Sequence, residues 1–378
     1  MLESLALWLL LPLGIGLGIA LGRNPRSALS DSDMLAGLTL AQDNPDRAIA
    51  ALTKALERDP AAAELNLTLG ALFRKRGEID RALRLHESVL SQPELKPDTR
   101  ALALYELGQD CVKAGLLDRA EEALKKAAQH PAFDALAYEQ LLPIHEQLGE
   151  WDQATEVAER LASLKRQSYA TVCAHYLLEM AEEAQAQGDA VQATKLAQRG
   201  LETDSGCVRA NLFLGQLYES AASWKESLAA YARVPAQDVR FLAEVIPAVQ
   251  RVCAASQQPE ALQHFLDDLE ARHSLDSAVW LARAQLIGDG NAQARYLAEK
   301  LSQKPSWRGL IQFLSLPVAQ EAGVLTEPVQ AFREALSKLL QKRPRYLCAH
   351  CGFTPSLLFW RCPSCKQWGT VAPAEDSL

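Results

Sequence analysis

The chain has 378 residues, a net charge of −8 and 48% hydrophobic residues. Glycine and proline are too sparse for a disordered or collagen-like chain, and an acidic chain is not drawn to nucleic acid or anionic lipid by bulk charge. The length fits two or three ordinary domains or one long array. The first element, Ser4 to Gly22, has 19 residues without a charge. At about 1.5 Å per residue it spans roughly 28 Å as a helix, close to a hydrocarbon core. A cleaved signal peptide opens with basic residues. Here Glu3 precedes the apolar run, and Arg23 and Arg26 follow it. Residues 1–22 are therefore predicted to be an uncleaved transmembrane anchor, with the following chain on the cytoplasmic side. Gly14, Gly18 and Gly22 recur every four residues, a strip on which a second membrane helix packs closely. The GIGLG string in this run follows no strand and is not a dinucleotide loop. Residues 23–28 read as a linker.

Residues 62–94 display the unit that follows. Apolar residues fall at helical spacing from Leu65 to Phe73, break at Arg76-Gly77-Glu78, and resume from Ile79 to Leu90 before Pro93. Two helices this short do not bury their apolar faces alone, so the hairpin needs neighbours. Ala48, Ala82, Ala120, Ala154, Ala193, Ser227, Ala261 and Ala294 mark the second helix at steps of 34, 38, 34, 39, 34, 34 and 33 residues. Ala36, Gly70, Gly108, Leu142, Ala181, Gly215, Val249 and Ala282 mark the first helix in phase, and Gly77, Gly115, Gly149 and Gly188 mark the turns. Small residues are expected where the helices of a hairpin cross closely, and Leu142 and Val249 to splay theirs. The two long steps, at residues 91–100 and 163–170, read as loop insertions of about one turn.

A period of 34 residues resembles the tetratricopeptide repeat. The predicted fold is all-α, a solenoid of helical hairpins over residues 29–305. Residues 306–341, with a break at Gly323, read as atypical capping helices. In this register Arg74, Lys75, Tyr105, Gln109 and Lys113 are predicted to face a groove lined by first helices, suited to holding a protein segment.

Residues 342–378 lose the Ala/Leu pattern and gain cysteines and aromatics. Cys348-Ala-His-Cys351 is followed after ten residues by Cys362-Pro-Ser-Cys365. Two C-x-x-C pairs at this separation form two knuckles that aim four thiolates at one ion. A tetrahedral sulfur site takes zinc or iron, and spacing does not choose between them. His350 is read as a bystander. So small a module leans on its ion for stability. Phe353, Phe359, Trp360 and Trp368 are more aromatics than it can hide, and some of them are expected to dock on the array. Cys111, Cys173, Cys207 and Cys253, set singly in helices, read as core filler.

No motif for catalysis emerges. His86-Glu87 and His145-Glu146 open the H-E-x-x-H pattern but lack its second histidine, and read as surface or hairpin-packing residues. There is no P-loop, no G-x-S-x-G and no Ser/His/Asp set. A site with four cysteines on one ion has no open position for substrate.

The sequence LTLGALFRKRGEIDRALRLHE, with AGLLDRAEEAL, EWDQATEVAERL, RPRYLCAHCGF and FWRCPSC, resembles the lipopolysaccharide assembly protein B family over nearly the whole chain. That resemblance implies a regulatory adaptor at the cytoplasmic face of the inner membrane; the missing motifs and filled sulfur site argue against an enzyme, and the acidic chain and anchor against nucleic-acid binding. It implies a rubredoxin-like module at residues 342–378, with one iron or zinc ion on Cys348, Cys351, Cys362 and Cys365. It further implies that the adaptor brings the deacetylase committing precursors to lipid A to a membrane-bound AAA+ protease. The alternatives are a rubredoxin-type electron-transfer protein and a general scaffold for envelope assembly enzymes.

Overall fold

A computed structural model describes residues 45–274, 276–316 and 327–374. The apolar run at Ser4–Gly22 with its glycine strip, the linker, Ala36 and Gly323 lie outside these residues. Among the described residues, no helix is long and apolar enough to cross a membrane. The chain divides into two compact units, residues 1–140 and 141–378.

The first unit contains α1 (Pro45–Leu56), α2 (Ala63–Arg76), α3 (Ile79–Leu90), α4 (Pro97–Ala114) and α5 (Leu117–Ala127). The boundary falls within α6 (Asp134–Leu148). The second unit continues with α7 (Trp151–Lys165), α8 (Ala170–Ala186), α9 (Ala190–Thr203), α10 (Val208–Ser220), α11 (Trp224–Tyr231) and the short α12 (Val234–Gln237). After a tight turn at Val239–Phe241 come α13 (Leu242–Ala255), α14 (Pro259–His273), α15 (Ser277–Gln285), α16 (Gly290–Gln303), α17 (Trp307–Leu314) and α18 (Glu327–Lys342). The tail adds β1 (Tyr346–Cys348) and β2 (Val371–Pro373), an antiparallel pair with Leu347 opposite Ala372. The architecture is thus a mostly helical, tetratricopeptide-like array followed by a four-cysteine module.

Four hairpins turn at a glycine, Gly77, Gly115, Gly149 and Gly188, each at positive φ. Gly77 closes α2 at φ 87°, and its N–H returns to the Arg74 carbonyl. A side chain there would meet nothing within 4 Å, so the requirement is the left-handed backbone, not space. In the later hairpins Ala222 and Gln257 take that conformation at φ 54° and 55°. Ala48, Ala82, Ala120, Ala154, Ala193 and Ser227 are all fully buried.

The first-helix glycines play a different part from the close helix crossing expected of them. Each is a hole that a second-helix side chain sixteen residues on fills. A Cβ at Gly70 would lie 2.3 Å from the His86 ring, one at Gly108 2.6 Å from Leu124, and one at Gly215 2.3 Å from the Tyr231 ring. At Leu142 the pair is exchanged, since it packs against a cluster holding Ala158, sixteen residues on, whereas Val249 and Phe265, sixteen residues on, are both large and share one cluster. The α13–α14 hairpin around Val249 is more open than those built on Gly70, Gly108 and Gly215, as expected of it. Gly215→Ala is expected to destabilise the protein by about 1–3 kcal/mol, because buried Tyr231 would have to leave its 3.1 Å bond to Glu219. Calorimetry of the full chain reads this, and an unchanged melting temperature would contradict the packing.

The insertions also differ from the loops expected. They lengthen helices. α4 runs 18 residues from Pro97 and α7 runs 15 to Lys165, against 12 in α3. Helix extension satisfies the added backbone groups internally, which a loop over the core does not.

Candidate metal centre and its seat on the array

Cys348 ends β1, and the chain turns at once. The Gly352 N–H donates to the Cys348 carbonyl at 3.0 Å, with Gly352 at φ 75°. The second knuckle repeats this, the Lys366 N–H reaching the Cys362 carbonyl at 2.9 Å with Lys366 at φ 62°. The knuckles face each other. Cys348 and Cys365 Sγ are 3.8 Å apart, as are Cys351 and Cys362 Sγ. All four sulfurs lie within 4.8 Å of one another. A metal–sulfur bond of about 2.3 Å gives a tetrahedron edge of about 3.8 Å, whereas a disulfide needs about 2.05 Å. The geometry therefore fits a single tetrahedral ion, and zinc and iron both meet this donor set.

Burial opposes charge on Cys348, but the Thr370 hydroxyl, 3.3 Å from its sulfur, and the Cys351 and His350 N–H groups hold the thiol down to about 6. His350 is exposed, outside the sulfur cluster.

The module is seated on the second unit by one face. Trp368 is 9% exposed and belongs to a core cluster with Ala154, Ala158 and Tyr176. Its ring stacks on His175 at 5.3 Å and meets Tyr176 edge-on at 5.7 Å. Trp360 stacks on Phe241 at 5.8 Å, and the Arg209 guanidinium lies over its ring at 5.9 Å. Ala372 is part of the main core of this unit. Polar bonds fix the register. Glu146 on α6 accepts from Trp368 Nε1 at 2.7 Å, from Tyr176 Oη at 2.5 Å and from Arg361 Nη2 at 2.5 Å. On α13, Glu244 accepts from Tyr346 Oη at 2.7 Å and Arg345 Nη2 at 3.1 Å. Of the four aromatics expected to dock, Trp360 and Trp368 do. Phe353 and Phe359 stay exposed.

Burial first, then the charge of Arg209, pulls His175 down to about 3, against a weaker opposing effect of Asp204. The ring is neutral in the folded chain, while the unfolded chain takes up its proton near pH 6.5. The unfolded state therefore binds more protons between these values. Stability from this residue is full above pH 6.5 and falls as pH drops, by about 1.4 kcal/mol per unit. His175→Phe is expected to keep the stack and flatten that acid slope. Unfolding free energies measured across the range check this, and identical slopes would contradict it.

Arg74 is tied within the first unit. Its guanidinium meets Glu106 Oε2 at 2.5 Å and Asp110 Oδ1 at 2.7 Å, and its side chain is 12% exposed. Asp110, fully buried, also meets His86 Nδ1 at 2.6 Å, so Arg74, His86, Glu106 and Asp110 form one polar cluster joining α2, α3 and α4. Tyr105 is half-buried against Phe133, with ring centroids 5.7 Å apart. Gln109 is half-buried, and Lys75 and Lys113 are exposed. His86 and His145 are buried hairpin residues, and His145 bonds Glu150 at 2.7 Å. Cys111, Cys173, Cys207 and Cys253 are buried, and burial pushes the Cys173 thiol up to about 11.

Sequence reading missed Glu146, His175, Arg209 and Glu244. The one available signal was the broken H-E-x-x-H pattern at His145-Glu146, whose glutamate is the receptor for the tail.

Residues 346–373 match the family described as rubredoxin metal binding domain, and residues 39–107 match the tetratricopeptide repeat. The chain is 30% identical over 380 residues to lipopolysaccharide assembly protein B of Escherichia coli K12, covering 97% of each chain. It is 28% identical to the protein of that name from Haemophilus influenzae, covering 98% of each. Among solved structures, the crystal structure of MamA is 25% identical, covering 45% of this chain and 94% of that one, with a TM-score of 0.33.

Proposed function

This chain belongs to the lipopolysaccharide assembly protein B family, and from that premise we propose that it is an adaptor anchored in the inner membrane that restrains lipopolysaccharide synthesis. On this reading residues 1–22 hold it in the bilayer, and the array presents the deacetylase that commits precursors to lipid A to a membrane-bound AAA+ protease. The coarser part, a repeat scaffold in lipopolysaccharide assembly, rests on the family itself.

The observation that carries the reading is the seat of the tail. Four cysteine sulfurs stand where they would fill the coordination of one ion, and the module is fastened to the repeat helices by Trp360, Trp368 and Glu146. Such a part keeps a scaffold in one shape and offers substrate no position. In the first unit Arg74, Lys75, Tyr105, Gln109 and Lys113 are the proposed partner contacts, and Arg74 also braces α2 against α4. Partner segments lie along such helix faces.

Crosslinked recovery from membranes, with wild type and with Cys348→Ser/Cys351→Ser, tests the proposal. Wild type is expected to bring down a membrane protease and a lipid A enzyme, and the variant to lose at least one. Recovery of neither with wild type would overturn it. The exposure of Cys351 favours one second reading, electron transfer through iron. A colourless, zinc-loaded protein would remove it.

A further inference from the structure

The C-terminal region has an unusual surface. Half of the large apolar side chains exposed among the described residues fall within residues 332–359: Phe332, Leu339, Leu347, Phe353, Leu357 and Phe359. Leu357 is 65% and Phe332 58% exposed. Their placement follows from the docking. In β1, Tyr346 and Cys348 point inward and Leu347 outward. The Cys348 N–H donates to the Phe353 carbonyl at 2.9 Å, which sets Phe353 beside that strand. Trp360 faces the array and its neighbour Phe359 does not.

Charge is concentrated here too. Residues 327–378 contain seven Lys and Arg against four acids, Glu327, Glu334, Glu375 and Asp376, in a chain of net charge −8. Arg345 and Arg361 are paired with Glu244 and Glu146. Lys338, on the exposed side of α18 beside Leu339, and exposed Lys366 add positive charge to the outward surface. The end of an array ordinarily needs a polar outer face for solubility. Exposed Phe and Leu flanked by Lys and Arg instead match the boundary of an anionic bilayer, where rings enter the acyl edge and cations meet phosphates.

We propose that α18 and the outer face of the metal module form a peripheral contact for anionic phospholipid, separate from any N-terminal span. This goes beyond the adaptor reading and shares with it only the presence of a membrane.

The test places the full chain in nanodiscs of phosphatidylcholine alone and of phosphatidylcholine with phosphatidylglycerol, and follows amide exchange across residues 347–359. Exchange is expected to slow about tenfold in the anionic discs only, and to recover in high salt. Lys338→Glu should weaken the protection about fivefold or more. Leu357→Glu should abolish it with the ion still bound, which separates lost contact from lost fold. Equal exchange in both lipids would overturn the proposal. So would protection that appears in detergent as protein concentration rises, which would assign the face to a second copy. Alkaline extraction reads the N-terminal anchor separately. A chain that extracts fails the anchor reading, and lipid-dependent protection is then followed on vesicles of the same two compositions.

Discussion

Replacing Cys362 by serine is expected to strip the ion from the protein and unfold residues 346–373. Cys362 is fully buried between the two knuckles, and the module has two three-residue strands and little core of its own. Structural zinc contributes about 10–16 kcal/mol of apparent binding energy to small domains that do not fold without it. Losing one of four thiolates removes most of that. Trp360, Trp368 and Ala372 then leave their places against Phe241, His175 and the main core. Metal analysis together with limited proteolysis beyond Arg345 measures the effect. Cys253→Ser, in the array, should keep both ion and tail. A protease-resistant, metal-free tail in Cys362→Ser would contradict the account.

Trp368→Ala is expected to separate docking from metal binding. The substitution deletes a ring that stacks on His175, meets Tyr176 edge-on and donates to Glu146. Losses of this size cost about 3–5 kcal/mol. The sulfurs are untouched, so one ion per chain should remain while the segment before β1 becomes open to protease. Trp368→Phe should fall between, since it restores the ring but not the N–H, a bond worth about 1.5–3 kcal/mol to a charged acceptor. If Trp368→Ala lost the ion as readily as Cys362→Ser, the module and its seat would be one folding unit and the proposed division would fail.

The features legible in the sequence were those written in local spacing. The repeat period appears as small residues at near-constant steps, because each hairpin meets only its neighbours. The metal site appears as two C-x-x-C pairs, because a knuckle is made by four consecutive residues. Arg74 has partners that such reading does not reach: Glu106 and Asp110, 32 and 36 residues on, hold its guanidinium. The seat of the tail was less legible still. Arg361 and Glu146 are 215 residues apart, and each is locally an ordinary charged residue. The glycine holes lay between these extremes. Gly70, Gly108 and Gly215 were visible as anchors, but their sixteen-residue partners His86, Leu124 and Tyr231 share no residue type, so only packing reveals the pairing.

The central claim is that an ion held by four cysteines keeps the C-terminal module fastened to the repeat helices. Hydrogen exchange on the full-length protein during a chelator titration tests it most directly, following the amides of residues 346–373 and those of α8 around His175 together. The account expects both sets to lose protection over the same range of chelator, as the ion leaves and the seat opens. Loss of protection in the tail with α8 unchanged, or no loss in either after the ion is gone, would contradict it.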